Sequence, residues 1–338
     1  MKKKKIAIAI QGGGSHGAYT WGVLERLLEE DRLDIRGFCG ASSGSQVAAV
    51  TTYGLHVGGN KGAMDLLGKF WNALGEGHKN SFLQPGILDG ELYPGGLDFS
   101  PGYHTMSFIA KFFSPYDLDP FDIHPNHLKE LLLSLIDFDE LRKSKCKLFI
   151  SATNVKTCKP KVFSPDELTI EALLASSALP VIFKAVEIDG EFYWDGGYLG
   201  NPPIYPLIDG TDSDDILTLK INPTFIKKEP KSSKEIHDRI GQISLSTSLM
   251  AEMRMLAFQA EMLQHGYDLK GKVRKINYHE ISADDVLDDL GLTSKFNHSF
   301  EFLNQLRKRG HDAADNWLRE NYDKVERESS VDLKKTYT

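Results

Sequence analysis

The chain is short of most features that announce a function at a glance. Its 338 residues hold only three cysteines, Cys39, Cys146 and Cys158, with no C-x-x-C or zinc-type spacing. That excludes a disulfide framework and fits a reducing compartment or buried thiols. Basic charge is not in excess: 40 Lys and Arg against 47 Asp and Glu leave a formal charge of −7, which excludes nucleic acid as a general partner. No stretch approaches the roughly 20 apolar residues of a membrane-spanning helix, so any membrane contact is expected to be peripheral. Lys2 to Lys5 followed by Ile6 to Ile10 has the look of a signal peptide, but Gln11-Gly12-Gly13-Gly14 cuts the apolar part off too early. A cytoplasmic location is expected, with signal-less export left open. Internal repeats are absent as well.

What remains is ordinary globular material, 41% hydrophobic and 26% charged, in a chain long enough to bury a large core as one domain or two. Its centre is Gly40-Ala41-Ser42-Ser43-Gly44, a G-x-S-x-G pentapeptide between the apolar run Ile35 to Cys39 and the helix-like Gln46 to Val50. A serine on a tight strand-to-helix turn is pushed outward, and the following helix aims backbone N–H groups at the place where negative charge develops. Such a pentapeptide alone is equally a glycine-rich turn. Upstream, Ile6 to Ile10 reads as a buried strand running into Gly12-Gly13-Gly14-Ser15-His16-Gly17. Ala18, Trp21, Leu24 and Leu28 then share a helical face. Strand, glycine loop, helix and strand in this order open a three-layer α/β fold. The loop also satisfies G-x-G-x-x-G. A dinucleotide site, however, requires an acidic residue at the end of the second strand, where this chain has Cys39-Gly40, and a P-loop requires G-K-[ST]. The use left for the glycines is an oxyanion hole.

Further along, Lys61 to Leu74 is helical. Residues 75–125 then carry six of the 14 prolines (Pro85, Pro94, Pro101, Pro115, Pro120, Pro125) together with Phe108, Ile109, Phe112 and Phe113. Such a connection is either a lid over a binding site or a packed surface insertion. His124 and His127 flank Pro125 and read as a turn rather than a metal pair. Asn126 to Ile136 is a helix, and Lys147 to Val155 a core strand. Ser164-Pro165-Asp166-Glu167 fits a capping box, and Thr169 is an equally good start for the helix through Ala175. Asp189-Gly190 signals a hairpin whose second strand ends at Asp195, before Gly196-Gly197. An aspartate there is most often a turn residue. Ile216 to Ile221 is a strand, and Thr224 to Lys234 a linker. Ile236 to His265 is one long helix or two, whose methionine-rich face reads as core ahead of a lipid-contacting surface, Ser299 to Tyr322 another helix, and Glu328 to Thr338 a charged, mobile tail.

Taken together in this order, the glycine loop at residues 12–17, the pentapeptide around Ser42 and Asp195-Gly196-Gly197 resemble the patatin-like phospholipase family. Ala175-Ser176-Ser177-Ala178-Leu179-Pro180 and Asn201-Pro202-Pro203 resemble its flanking segments. The likeness spans residues 6–222. It implies a mostly parallel sheet sandwiched by helices, in a catalytic domain over residues 1–225; the helices read beyond it form a C-terminal region over residues 226–338 expected to pack on that domain. It also implies a lipid acyl hydrolase working through a Ser42–Asp195 dyad without histidine, metal or cofactor, on an acyl lipid substrate. Gly40 and Gly44 then form the nucleophile elbow, and Gly12, Gly13, Gly14 and Ser43 the oxyanion hole, each donor contributing on the order of 3 kcal/mol. One departure is His16, where the family usually carries Arg or Lys. Two alternatives stay open. One is an α/β-hydrolase triad drawing on His265, His279, His298 or His311; the other is a catalytically silent lipid- or protein-binding module.

Overall fold

The computed structural model describes residues 3–89, 95–117, 127–180, 182–267, 273–288 and 290–338. Lys2, Pro94, Pro120, His124, Pro125 and Asn126 lie outside the described residues. In chain order the elements are β1 (Lys4–Ile10), α1 (Gly17–Glu29), β2 (Leu33–Gly40), α2 (Ser43–His78), α3 (Pro101–Phe112), α4 (His127–Leu135), α5 (Phe138–Leu141), β3 (Lys147–Asn154) and β4 (Pro160–Phe163). There follow α6 (Ile170–Ser176), β5 (Val186–Ile188), β6 (Glu191–Asp195), α7 (Tyr205–Gly210), β7 (Asp215–Lys220), α8 (Ser233–Gln264), β8 (Asn277–Ser282), α9 (Phe300–Asn321) and α10 (Leu333–Tyr337).

β1 is the middle of a mixed sheet. It pairs in parallel with β2 on one side and β7 on the other, and β3 and β8 extend those two flanks, also in parallel. The alternation in Ile6-Ala7-Ile8-Ala9-Ile10 separates two helical layers. The isoleucines join the core cluster that holds Leu24, Val47, Leu303 and Leu306, whereas Ala7 and Ala9 face Ile204, Leu207, Leu249 and Met253. Both faces are covered, as parallel strands require, and the three-layer α/β architecture expected from the opening segments is the one observed. Met253 is core as read, whereas Met255 on the opposite face of α8 is exposed.

The register along β3 brings distant segments together. Ile150 pairs with Gly40 of β2 and with Phe163 of β4, while Ala152 pairs with Lys161 of β4 and Asp195 of β6. A strand residue has only two sides, so β6 occupies the same edge of β3 that β2 vacates. Two residues of strand, about 7 Å, therefore separate the end of β2 from the end of β6.

Several expectations change in detail. Gln46–Val50 and Lys61–Leu74 belong to one helical run, interrupted at Gly59 with φ 60° and ψ −156°. The capping box at Ser164 is real but caps a 3-10 turn, Pro165–Glu167, and Thr169 caps α6 through the Ala172 N–H. Asp189 and Gly190 both take positive φ, 52° and 80°, in the hairpin between β5 and β6. Residues 226–338, expected to be helical, also supply β8, which pairs along the whole of β7. The tail read as mobile is anchored: Leu333 and Tyr337, four residues apart on one face of α10, are buried against the cluster that contains Met253.

Candidate active site

Ser42 stands between the end of β2 and the first turn of α2, with Gly40 and Gly44 flanking it. Its φ of 53° and ψ of −132° lie where a non-glycine residue is strained. Neighbours hold that conformation: the Ser42 N–H donates to both the carbonyl oxygen (3.1 Å) and the Oγ (3.0 Å) of Ser176. The glycine loop after β1 crosses directly above. A Cβ on Gly12 would lie 2.6 Å from Ser42 Cβ and 2.5 Å from the Ala41 carbonyl oxygen, so only glycine fits.

Asp195, at the end of β6, is buried. Its Oδ1 accepts the Gly197 N–H at 2.7 Å, while Oδ2 is buried and accepts no hydrogen bond of ordinary geometry among the described residues. Burial pushes the carboxyl up to about 6; the Gly197 N–H, the neighbouring Ser42 hydroxyl and the Lys295 ammonium pull the other way. A carboxylate titrating there is a serviceable base at neutral pH, and one at its ordinary value of about 3.9 is not.

The four expected oxyanion donors differ in their commitments. The Gly12 N–H donates to Asn201 Oδ1 at 2.7 Å, which makes it a tether of the loop. The Gly13 N–H donates to Ser43 Oγ at 3.1 Å. The Gly14 N–H makes no hydrogen bond among the described residues, and the Ser43 N–H stands in the first turn of α2, where no intrahelical partner exists. Ser43 therefore meets the glycine loop through its hydroxyl, while its N–H stays free of an intrahelical bond. Ser43→Ala should release Gly13 and lower ester hydrolysis by up to about tenfold, roughly 1.4 kcal/mol of barrier, measured as kcat/KM on a soluble ester. A loss as large as that of Ser42→Ala would mean the two serines have been assigned the wrong way round.

Sequence reasoning missed the residues that frame the loop. Gln11 Oε1 accepts the N–H groups of Ile221 and Asn222, Asn222 Nδ2 donates to the Gly12 carbonyl at 2.8 Å, and Asn201 Nδ2 donates to the Leu245 carbonyl in α8. The only available signal was Asn201-Pro202-Pro203 itself. His16 is buried, with Nε2 2.7 Å from Ser294 Oγ, and burial holds its pKa well below the usual imidazole range, so it is neutral.

The four late histidines are engaged elsewhere. His265 contacts the Glu261 carbonyl of its own helix, and His311 contacts Glu29. His298 bonds the Phe296 carbonyl. His279 is fully buried between Asp215 (2.9 Å) and Ser330 (3.0 Å). Asp215 begins β7, whereas the glycine loop and Ser42 lie beyond the far ends of β1 and β2. No histidine hydrogen-bonds Ser42 or Asp195 among the described residues. Nor do the described residues contain a cluster of three or more His, Cys, Asp or Glu side chains fit to hold a metal.

A mostly parallel sheet between two helical layers, with Ser42 on a strand-to-helix turn at a strand end, defines a three-layer α/β protein. The family model for patatin-like phospholipase matches residues 8–208, more than half of the chain, and the protein belongs to that family. Among curated relatives, the probable lipid hydrolase 463L of Invertebrate iridescent virus 6 is 32% identical over 81 residues, covering 23% of this chain and 28% of the viral protein. Among solved structures, VipD from Legionella pneumophila is similar with a TM-score of 0.46 and 17% identity, over 94% of this chain and 67% of VipD. ExoU in its complex with SpcU from Pseudomonas aeruginosa gives 0.37 and 16%, over 94% of this chain and 52% of that one.

Proposed function

We propose that the protein is a serine lipid acyl hydrolase that cleaves carboxylic esters of phospholipids or related acyl lipids through Ser42 and Asp195. The observation that carries this reading is the buried Asp195 Oδ2, which accepts no hydrogen bond of ordinary geometry among the described residues and belongs to a carboxyl raised to about 6 with the Ser42 hydroxyl as a neighbour. Ser42 Oγ attacks the ester carbonyl as its proton passes to Asp195. The oxyanion is received by the N–H groups of Gly14 and Ser43, joined by Gly13 when it exchanges Ser43 Oγ for the substrate. Asp195 returns the proton to the departing alcohol and then takes one from the water that attacks the acyl-enzyme; collapse frees the acid and restores Ser42. In a structure without substrate, the contact between nucleophile and base need not be tight, since such bonds shorten in the Michaelis complex. Membership of the patatin-like phospholipase family and the likeness to a probable lipid hydrolase support the choice of substrate class.

α3 fits a role at the lipid-facing rim. None of its residues is buried, and Phe108, Phe112 and Phe113 are all more than half exposed. Tyr103 on it lies 5.9 Å, ring to ring, from Phe296, whose neighbour Lys295 stands with its carbonyl against Gly14 of the glycine loop. No helix among the described residues is long and apolar enough to cross a membrane, so the contact proposed is peripheral. Trimming Phe108, Phe112 and Phe113 to alanine should leave short soluble esters nearly untouched and lower turnover of long-chain lipids severalfold. Equal effects on every chain length would make α3 a scaffold only.

The proposal is tested by a panel of acyl esters from short p-nitrophenyl esters to phospholipid vesicles, assayed from pH 5 to 9. Turnover should appear and fall away as pH drops through about 6, where Asp195 becomes protonated. Absence of hydrolysis on every ester would instead favour the silent binding module.

A further inference from the structure

Lys295 lies far outside the matched residues, in a 3-10 segment, Leu292–Phe296, after β8. Its backbone carbonyl stands against the glycine loop: a Cβ on Gly14, whose φ is +59°, would lie 2.4 Å from it. Its ammonium donates to Asn222 Oδ1 at 2.5 Å, and Asn222 Nδ2 donates in turn to the Gly12 carbonyl at 2.8 Å. Among the described residues no ion pair of Lys295 with a carboxylate is formed, although its ammonium is partly buried. Among the described residues its one hydrogen bond is to Asn222, out of three that an ammonium can donate.

We propose that Lys295 is a positioning residue of the acyl-transfer site: through Asn222 it holds the glycine loop over Ser42, and it sets a positive charge near Asp195, the base. The assignment rests on the dyad reading above. The loop's own polar residue, His16, stays neutral and supplies no charge, so the cation beside the loop comes from a segment almost 280 residues later, by the numbers of His16 and Lys295. The groups facing Lys295 are Asp195 at the end of β6, Asp238 on α8 and His16 in the loop. Asp238 is itself paired with Lys234, which also meets Asp98, and Tyr198 faces Asp195. Burial lowers Lys295 to about 8, with Asp238 and Asp195 opposing the shift. As Asp195 takes the serine proton, its negative charge moves onto the substrate oxygen, and Lys295 is placed to balance the charge in both states.

The test is the pH profile of kcat/KM on a soluble p-nitrophenyl ester for wild type, Lys295→Met and Lys295→Arg. Wild type should be bell-shaped, rising near pH 6 and falling near pH 8. Lys295→Met should lose on the order of tenfold to a hundredfold, mainly in kcat, because the loop is displaced. Its acid limb should move upward and its alkaline limb disappear. Lys295→Arg keeps the charge but does not titrate, so its acid limb should stay in place and only the alkaline limb vanish; this variant decides the matter alone if the methionine protein does not fold. Alkaline limbs retained in both variants, or an acid limb unmoved in a folded Lys295→Met, overturn the proposal. The 13C titration of the Asp195 carboxyl, assigned by its absence in Asp195→Asn, measures the same coupling without turnover. It should move upward in Lys295→Met and not in Lys295→Arg. Wild type without esterase activity would end the dyad reading and still leave this titration to judge Lys295.

Discussion

Ser42→Ala is expected to abolish ester hydrolysis, lowering kcat/KM by on the order of 10⁴ or more, the scale set by removing the nucleophile of a serine hydrolase. The far-ultraviolet circular dichroism should be unchanged, because the anchors of the elbow are backbone contacts: the N–H of residue 42 to Ser176, and the Gly44 and Ser45 N–H groups to the Ala41 carbonyl. Alanine inherits the same φ of 53° and gains nothing from relief of strain. Ser42→Gly, equally inactive, should unfold at a higher temperature than Ser42→Ala, since glycine takes this conformation freely. A folded alanine variant that keeps most of its activity would remove Ser42 from the mechanism.

The second large effect belongs to Asp195→Asn. The amide keeps the shape of the side chain and its bond from the Gly197 N–H but has no basicity, so activity should fall about as far as in Ser42→Ala. The two losses should not add, because the residues act as one unit. Stability should move the other way. The folded carboxyl titrates at about 6, above its unfolded value. The contribution of a group raised in this way is full at low pH and is lost as pH rises through the folded pKa. The amide escapes that loss, so relative to wild type the variant should gain up to about 3 kcal/mol between roughly pH 4 and pH 7. Thermal unfolding at pH 4 and pH 8 checks the sign: a gain confined to the higher pH is expected. Each of His265→Gln and His311→Gln should stay within about tenfold of wild type, or 1.4 kcal/mol. His279→Gln breaks a buried pair with Asp215, so any activity it loses has to be weighed against its stability.

Ser42 and Asp195 differ in how openly the sequence carries them. Ser42 and the glycine loop were legible because strand, turn and helix are contiguous there, and the residue types demanded by the turn are local. Asp195 was legible as a strand end, but its nearness to Ser42 depends on β3 pairing with β2 and then β6 along one edge, a register no local pattern reveals. β8 escaped notice because Asn277-Tyr278-His279-Glu280-Ile281-Ser282 does not alternate apolar and polar residues. Its polar side chains are satisfied from β7, His279 by Asp215 and Glu280 by Lys220. Lys295 lies in an unremarkable polar segment. Only the fold sets its ammonium against Asn222 and the loop at residues 12–14. Local chemistry could be read from sequence, and chemistry assembled from both ends of the chain could not.

Activation of the Ser42 nucleophile by Asp195 alone is tested most directly by reacting wild type, Ser42→Ala and Asp195→Asn with a fluorophosphonate and mapping the adduct by mass spectrometry. Wild type should carry one adduct, on Ser42, and Ser42→Ala none, while labelling of Asp195→Asn should be slowed by orders of magnitude. An adduct on Ser43, or labelling of Asp195→Asn at the wild-type rate, would contradict the dyad.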